Sequence, residues 1–474
     1  MHRSIIAGTV IEDDKANNHI GTIYSPLGRK KIGEIEYASA AQCERAIIAA
    51  TESFRRTRSL SSMERNSILL DVSRRISDQK EALAKLISME AGKPITLARV
   101  EVERAILTFA LAAEESRRIG GEVVPLDWTS ASRGKVGIVQ RVPRGIVLAI
   151  TPFNYPLNLA AHKIAPAMAV GAPFILKPAL QTPLTALMLG QMIRDSGYPP
   201  EAINVIICDN VRAEELVKDE RIAMLSFTGS AEVGWKLKPL AGRKMVTLEL
   251  GGNASSIVDE SADMQKAAVK LVKGAFIYSG QVCIKAQKIY LKQSIAESFK
   301  KKFIEETKAL AVGEISEKDV VLNPLIDENA ERRVNEWVKE AIAKGGQILY
   351  ERSIPGSLCP LRIVDRIPHN CRLFTEEIFG PVVTFHEFRE LEEAIEEINR
   401  GKYGLQASIF SNSHESIMLA YRSLEAGAVI VNDSPSFRVD QMPYGGIKES
   451  GFGREGVRYA IEEMTVTKML VVEQ

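Results

Sequence analysis

The sequence predicts an α/β protein made of two doubly wound parallel sheets with an additional β-strand arm. Three observations carry this expectation. After residue 134 short apolar runs alternate with helical stretches, which is the pattern of βαβ units. A second series of the same kind starts near Thr247. Two further segments alternate like strands yet belong to neither series.

Taken in order, residues 40–119 are predicted to be helical. Apolar positions recur at three- and four-residue spacings through "AAQCERAIIAATESFRRT", "MERNSILLDVSRRISDQKEALAKLISMEAG" and "EVERAILTFALAAEESRRIGG", with Gly92 and Gly120 as helix stops. The runs "GIVLAI" (145–150), "PFILK" (173–177), "INVIIC" (203–208) and "MLSF" (224–227) read as buried strands, with a helix at 183–196. In the second series "SSIVD", "KIYLK", "VVTFHEF", "ASIFS" and "AVIVN" are the strands, and residues 263–278, 294–310 and 329–344 are helices. Residues 134–143 and the segment "MTVTKMLVVEQ" are the two strands without a home, open to pairing with another subunit.

The 474 residues accommodate about two to four domains. Hydrophobic residues at 45% and charged residues at 26% exclude a mainly disordered chain. With 61 Lys+Arg against 60 Asp+Glu, the overall field is too balanced for a nucleic-acid wrapper. Residues 1–14 show no signal-peptide pattern, and the least charged stretch, 145–161, is broken by Pro152 and Pro156, so no membrane span is expected. Five widely spaced cysteines without a CxxC pair, and six scattered histidines, point to free thiols in the cytoplasm and to no metal site.

The chemistry-bearing motifs are short. In "SGQVCIK" (279–285) a turn after a helical run would expose the Cys283 sulfur and aim backbone N–H groups at it. A lone cysteine is more often a small buried hydrophobe, so its context decides. "TLELGGN" carries Glu249, either a desolvated general base or a solvated strand-end residue. "TPFNYP" follows a strand at the edge where open α/β sheets collect ligands; Asn154 there is an oxyanion donor or plain turn chemistry. "FTGS" offers helix N-terminal amides to a pyrophosphate, or only an N-cap by Ser230. "LKPA" leaves Lys177 at a strand end, and "TEEIFGPV" supplies Glu377 and Phe379.

Each motif is weak alone, but in this order, followed by "PYGGIKESGFGREG", they resemble the aldehyde dehydrogenase superfamily over nearly the whole chain, including its lactaldehyde, semialdehyde and non-phosphorylating glyceraldehyde-3-phosphate members. The resemblance implies two Rossmann-like domains. Residues 1–246 would be the cofactor-binding domain, with 120–143 contributing to an oligomerisation arm, and 247–438 the catalytic domain. Residues 439–474 would return to the cofactor domain and end in the oligomerisation strand.

It further implies that Cys283 adds to an aldehyde carbonyl, that Asn154 and the Cys283 N–H hold the oxyanion, and that Glu249 activates the water that hydrolyses the thioester. Lys177, Phe153, Gly229, Ser230, Glu377 and Phe379 would hold NAD or NADP. Leu180 stands where many NAD-preferring members have an NADP-excluding Glu, so NADP is admissible. Tyr155, Val282, Ile284 and Phe437 are expected around the substrate, with Arg438 and Arg104 hinting at a short polar or anionic aldehyde; each arginine reads alternatively as an ion-paired residue. A homodimer or homotetramer is expected. The competing readings are a CoA-acylating dehydrogenase, against which Glu249 argues, and a non-catalytic structural relative, which need not keep Cys283, Glu249 and Asn154.

Overall fold

The apolar runs between residues 145 and 249 become strands buried on both faces, the parallel centre of an eight-stranded sheet. The sheet order is Thr9–Val10, Ile5–Ile6, Ile203–Val205, Phe174–Lys177, Ile146–Ile150, Ile222–Thr228, Met245–Glu249 and Gly451–Phe452. Its winding reverses between Ile146–Ile150 and Ile222–Thr228, so a crevice opens at the carboxyl ends of those two strands. Alternate residues serve opposite layers. Val147 and Ala149 pack on a helical layer that includes Ser62–Asp78, Ile95–Ser116 and Asn158–Val170, while Ile146, Leu148 and Ile150 meet Ala40–Thr57, Asn210–Lys218 and Ala231–Leu240. The computed structural model describes residues 1–12, 19–313 and 320–473; Asp13 and Asp14 of the stretch read for a leader, and Gln474 of the terminal strand, lie outside the described residues.

The second sheet has seven strands, in the order Gln347–Arg352, Leu361–Asp365, Val382–Phe388, Lys288–Lys292, Ser255–Val258, Gln406–Phe410 and Ala428–Val431. All pairs are parallel except the first. Ile289 and Leu291 face helices Met264–Phe276 and Ala296–Lys308, and Ile257, Tyr290 and Ile409 face Leu391–Arg400 and His414–Ser423.

Two sequence expectations need correction, and a third, that two strand segments stand outside both large sheets, holds. The strand Met245–Glu249 belongs to the first sheet, so a boundary between 246 and 247 falls inside it; a strand and its successor were read as one start. Gly120 stops no helix, since Ile95–Ser116 closes at Arg117, whereas Gly92 does cap Lys80–Ala91 in the left-handed conformation at φ 64. The two homeless segments pair with each other: Thr465–Glu473 runs antiparallel to Lys135–Pro143, with Gly121–Pro125 on the far side, in a separate three-stranded sheet. Val123, Met469, Leu470 and Val471 are exposed on it. Among the described residues no helix is long and apolar enough to cross a membrane.

One buried carboxylate ties the helical layer to the crevice. Glu101, on Ile95–Ser116, pairs with Lys93, and its Oε1 accepts the N–H groups of Leu157 at 2.9 Å and Asn158 at 3.2 Å, just after the "PFNYP" turn. The Lys93 ammonium sits 3.5 Å from the Tyr155 ring centroid, and burial pulls its pKa down to about 8 against the opposing charge of Glu101. Glu101→Gln would leave Lys93 buried without a counter-charge. A loss of about 3–5 kcal/mol is expected, read as a clear fall in the thermal unfolding temperature; an unchanged temperature would show that the pair does not hold this layer.

Candidate active site

The carboxyl edge of the first sheet faces the amino edge of the second, and between them lies a cavity of about 750 Å³. From the first sheet come Phe153, Asn154 and Tyr155 after Ile150, Gly229 and Ser230 after Thr228, and Glu249 at its strand end. From the second come Val282, Cys283 and Ile284 ahead of Lys288–Lys292, and Glu377 and Phe379 ahead of Val382–Phe388. Arg104 and Arg438 also line it. Lys177, Leu180 and Phe437 do not: Lys177 is buried at the same sheet edge, beside Ile150 in register, Leu180 packs on the apolar core, and Phe437 is exposed.

The Cys283 loop starts from an uncommon backbone. The helix Met264–Phe276 stops two residues short of the expected 278 because Tyr278, Ser279 and Gly280 are all left-handed, at φ 53, 51 and 74. Their neighbours enforce the turn. The Tyr278 hydroxyl donates to the Ala91 carbonyl at 2.7 Å, and Ser279 Oγ donates to the Asn323 carbonyl at 2.6 Å while accepting the Asn323 N–H at 2.7 Å. A Cβ at Gly280 would lie 2.3 Å from the Gly380 carbonyl oxygen, so only glycine fits. The turn delivers Cys283 to the cavity, and among the described residues its N–H has no protein acceptor. Asn154, buried, donates through Nδ2 to the Gln281 carbonyl at 2.9 Å, which leaves its second N–H uncommitted beside the same loop.

Desolvation dominates the electrostatics. Glu249 is 2% exposed and, among the described residues, neither carboxylate oxygen has a hydrogen-bond partner. Burial, with Glu455 adding to it, holds its pKa well above the carboxylate range against the opposing pull of Arg438, Lys163 and Arg454. The solvated strand-end reading of Glu249 is therefore excluded. A Cβ at Gly445 would stand 3.0 Å from Glu249 Oε1, so the glycine of "PYGG" permits the close approach. Glu377 is likewise raised by burial, to about 7, with the Gly252 N–H at 3.2 Å as its hydrogen-bond donor.

The cysteine has a partner that the motifs did not single out. Cys283 Sγ and the Tyr444 hydroxyl are hydrogen-bonded at 3.1 Å, and the Arg438 guanidinium lies 3.6 Å from the centroid of the same ring. Tyr444 sits inside the quoted "PYGG", whose glycines were the available signal. Arg438 is nearly buried: among the described residues its Nε and Nη2 lack hydrogen-bond partners, while Glu455 Oε2, 3.6 Å from Nη2, is an ion-pair partner beyond hydrogen-bonding distance. Arg104 is ion-paired, though with neither of its sequence neighbours. Its Nη2 donates to Asp440 Oδ1 at 2.6 Å, and Nε reaches both oxygens at 3.2 Å. Arg333, Trp337 and Arg372 complete the mouth near Glu377 and went unread in the sequence. Among the described residues no group of acidic, His and Cys side chains suits a metal ion.

Burial pushes the Cys283 thiol up to about 11, with the Tyr444 hydrogen bond pulling the other way, Glu377 pushing up and Arg438 pulling down. The thiolate is then a small minority at pH 8, whereas a free cysteine titrates near about 8.5. Iodoacetamide should alkylate Cys283 in the empty protein far more slowly than free cysteine at pH 8, with the rate climbing about tenfold per pH unit. Tyr444→Phe should slow it further. Alkylation as fast as free cysteine, or faster in Tyr444→Phe, would contradict this reading of the site.

The comparisons with known proteins agree with this geometry. Residues 12–470 match the model of the Aldehyde dehydrogenase family. The 3-sulfolactaldehyde dehydrogenase of Priestia aryabhattai is 38% identical over 440 residues, covering 93% of this chain and 92% of the relative. The lactaldehyde dehydrogenase of Methanococcus vannielii is 38% identical over 455 residues, covering 95% and 96%. The crystal structure of glyceraldehyde-3-phosphate dehydrogenase from Methanocaldococcus jannaschii, complexed with NADP, is similar at a TM-score of 0.92 and 37% identity, over 96% of this chain and 100% of that one. A family model that spans nearly the whole sequence, and relatives alike from end to end, establish that this chain belongs to the aldehyde dehydrogenase family.

Proposed function

We propose that the protein oxidises a short polar aldehyde carrying an anionic group to the carboxylate, with NAD or NADP, and that Cys283, Glu249 and Asn154 carry the chemistry. The observation behind this reading is the convergence, in one cavity, of a hydrogen-bonded thiol, a carboxylate without partners and an arginine with unused N–H groups. The anionic preference follows from Arg438: a charged donor in a partly dry cavity favours a carboxylate, phosphate or sulfonate near the aldehyde. The phosphorylated and sulfonated substrates in the names of two of the relatives support the same class.

The residues at the crevice fit a dinucleotide. Ser230 caps helix Ala231–Leu240 at the cavity wall, Glu377 holds a carboxylate with one donor, and Lys177 ends its strand without an ion pair among the described residues. Bound NAD(P) supplies the acceptor for the aldehyde hydride. Leu180 brings no negative charge against a 2′-phosphate, so both cofactors are admitted.

In this reading Glu249 takes the thiol proton, directly or through water, and the Cys283 sulfur adds to the carbonyl carbon. The second N–H of Asn154 and the Cys283 N–H receive the developing oxyanion. Once the hydride has left, the carbonyl re-forms as a thioester on Cys283. Glu249, having passed the thiol proton on to solvent, then deprotonates a water, which attacks the acyl carbon; the acid leaves and the thiolate is regenerated. A base whose pKa is held above the carboxylate range by burial suits proton transfer, and its presence supports water rather than CoA as the acyl acceptor. Assembly as a homodimer or homotetramer through the arm is supported by the apolar side chains exposed on Thr465–Glu473, and residence in the cytoplasm by five free cysteines.

In Glu249→Gln a burst of NAD(P)H followed by a stalled steady state is expected under stopped flow. A variant that turns over at the wild-type steady rate removes Glu249 from deacylation. Arg438→Met should raise KM for succinate semialdehyde or glyceraldehyde 3-phosphate roughly ten- to a hundredfold more than for neutral lactaldehyde, because a charge-assisted hydrogen bond contributes about 1.5–3 kcal/mol. Equal effects would favour a neutral hydroxyaldehyde, the second reading, to which the engagement of Arg104 with Asp440 already lends weight.

A further inference from the structure

A second cavity, of about 360 Å³, lies against the same short segment as the first. Phe374 and Thr375 line it, while Glu376 and Glu377 line the aldehyde cavity, and Lys402 and Tyr403 form a shared wall.

Lys288 is the group that needs explaining. It opens the strand Lys288–Lys292, is 4% exposed and lines the cavity. Among the described residues its ammonium has neither an ion pair nor a hydrogen bond, only the face of Phe374 at 4.7 Å from the ring centroid. The other charged groups here are engaged. Arg400 pairs with Glu396 at 3.3 Å, Lys402 with Glu376 at 2.8 Å and Glu425 with Lys448 at 2.5 Å. Glu397 accepts the Tyr290 hydroxyl at 3.0 Å and has His369 at 3.7 Å.

Burial pulls the Lys288 pKa down to about 8, with Glu397 opposing, so the side chain is still mostly charged at pH 7. A buried cation without a counter-charge is unfavourable, and the strand gains nothing from it that methionine would not give. The buried Ser255 Oγ of the lining, which can donate to an anion, also lacks a partner among the described residues. The volume is at the lower end of small-molecule sites.

We propose that this cavity is a second ligand site, separate from the aldehyde site, which takes a compact oxyanion on the Lys288 ammonium. Such an anion completes the only charged side chain of this lining that has no partner among the described residues. The proposal stands whether or not the aldehyde site works as described above.

Two measurements on the full-length protein test it. In crystals of the wild type soaked in selenate, anomalous diffraction should show selenium in this cavity with an oxygen within hydrogen-bond distance of Lys288 Nζ. A cavity without anion under saturating selenate overturns the proposal. Calorimetry with glycerol 3-phosphate, which has no aldehyde to turn over, on Arg438→Met, in which the aldehyde site has lost its anion contact, should show binding that becomes at least about tenfold weaker when Lys288→Met is added. Lys288→Met should fold, since it exchanges a buried charge for an apolar chain of similar length, and its unfolding temperature checks this. Equal affinity with and without Lys288→Met in that background overturns the proposal, and so does the absence of any binding to Arg438→Met.

Discussion

The exclusion of water from Glu249 is the constraint around which the rest of the site is arranged. A carboxylate at the end of a fully buried strand, with no hydrogen bond to either oxygen, is destabilised in its charged form, and three cations stand nearby without bonding it. Were any of them a direct partner, the group would be a fixed anion and a poor proton acceptor. Lys163 is kept from that role by Glu455, to which it is bonded, and Arg438 by its position over the Tyr444 ring. The cluster keeps the local field near neutral while leaving Glu249 itself unsatisfied.

The backbone before Cys283 shows the same division between strain at the site and compensation around it. Two side-chain-bearing residues in left-handed conformation cost roughly 1–2 kcal/mol each. Tyr278 and Ser279 are the residues whose side chains reach out to anchor the turn, to Ala91 in the helical layer and to Asn323 in the second sheet's surroundings. The strained loop is thereby fixed to both halves of the protein, and the sulfur is held where the two sheet edges meet.

Much of this was legible in the chain. Apolar runs marked the parallel strands because both faces of each are covered, and the motifs around Asn154, Glu249 and Cys283 marked the sheet edges because ligand-facing turns need glycine, proline and short polar residues. What could not be read was partnership at long range. Tyr444 as the companion of Cys283, and Asp440 as that of Arg104, come from a loop 161 and 336 positions away along the chain. The nearest carboxylates along the chain, Glu101 and Glu103, are taken by Lys93 and Lys80, so Arg104 finds its acid elsewhere. The edge strand Gln347–Arg352 escaped for another reason: only one face of an edge strand needs to be apolar, so the signal thins to a few residues.

Residues near the far end of the sequence complete structures begun near its start. Gly451–Phe452 borders Met245–Glu249, Thr465–Glu473 forms a ladder with Lys135–Pro143, and Glu455 bonds Lys163 across 292 positions. A ribosome that has released the first sheet's parallel strands has therefore released a sheet with an open edge and with Lys163 still lacking its acid. Until residues 444–455 emerge, Cys283 has no tyrosine beside it and Glu249 has solvent where Gly445 will pack. The order of synthesis thus separates folding of the frame from arming of the thiol, and the nascent chain carries an open sheet edge until residues 451–452 emerge.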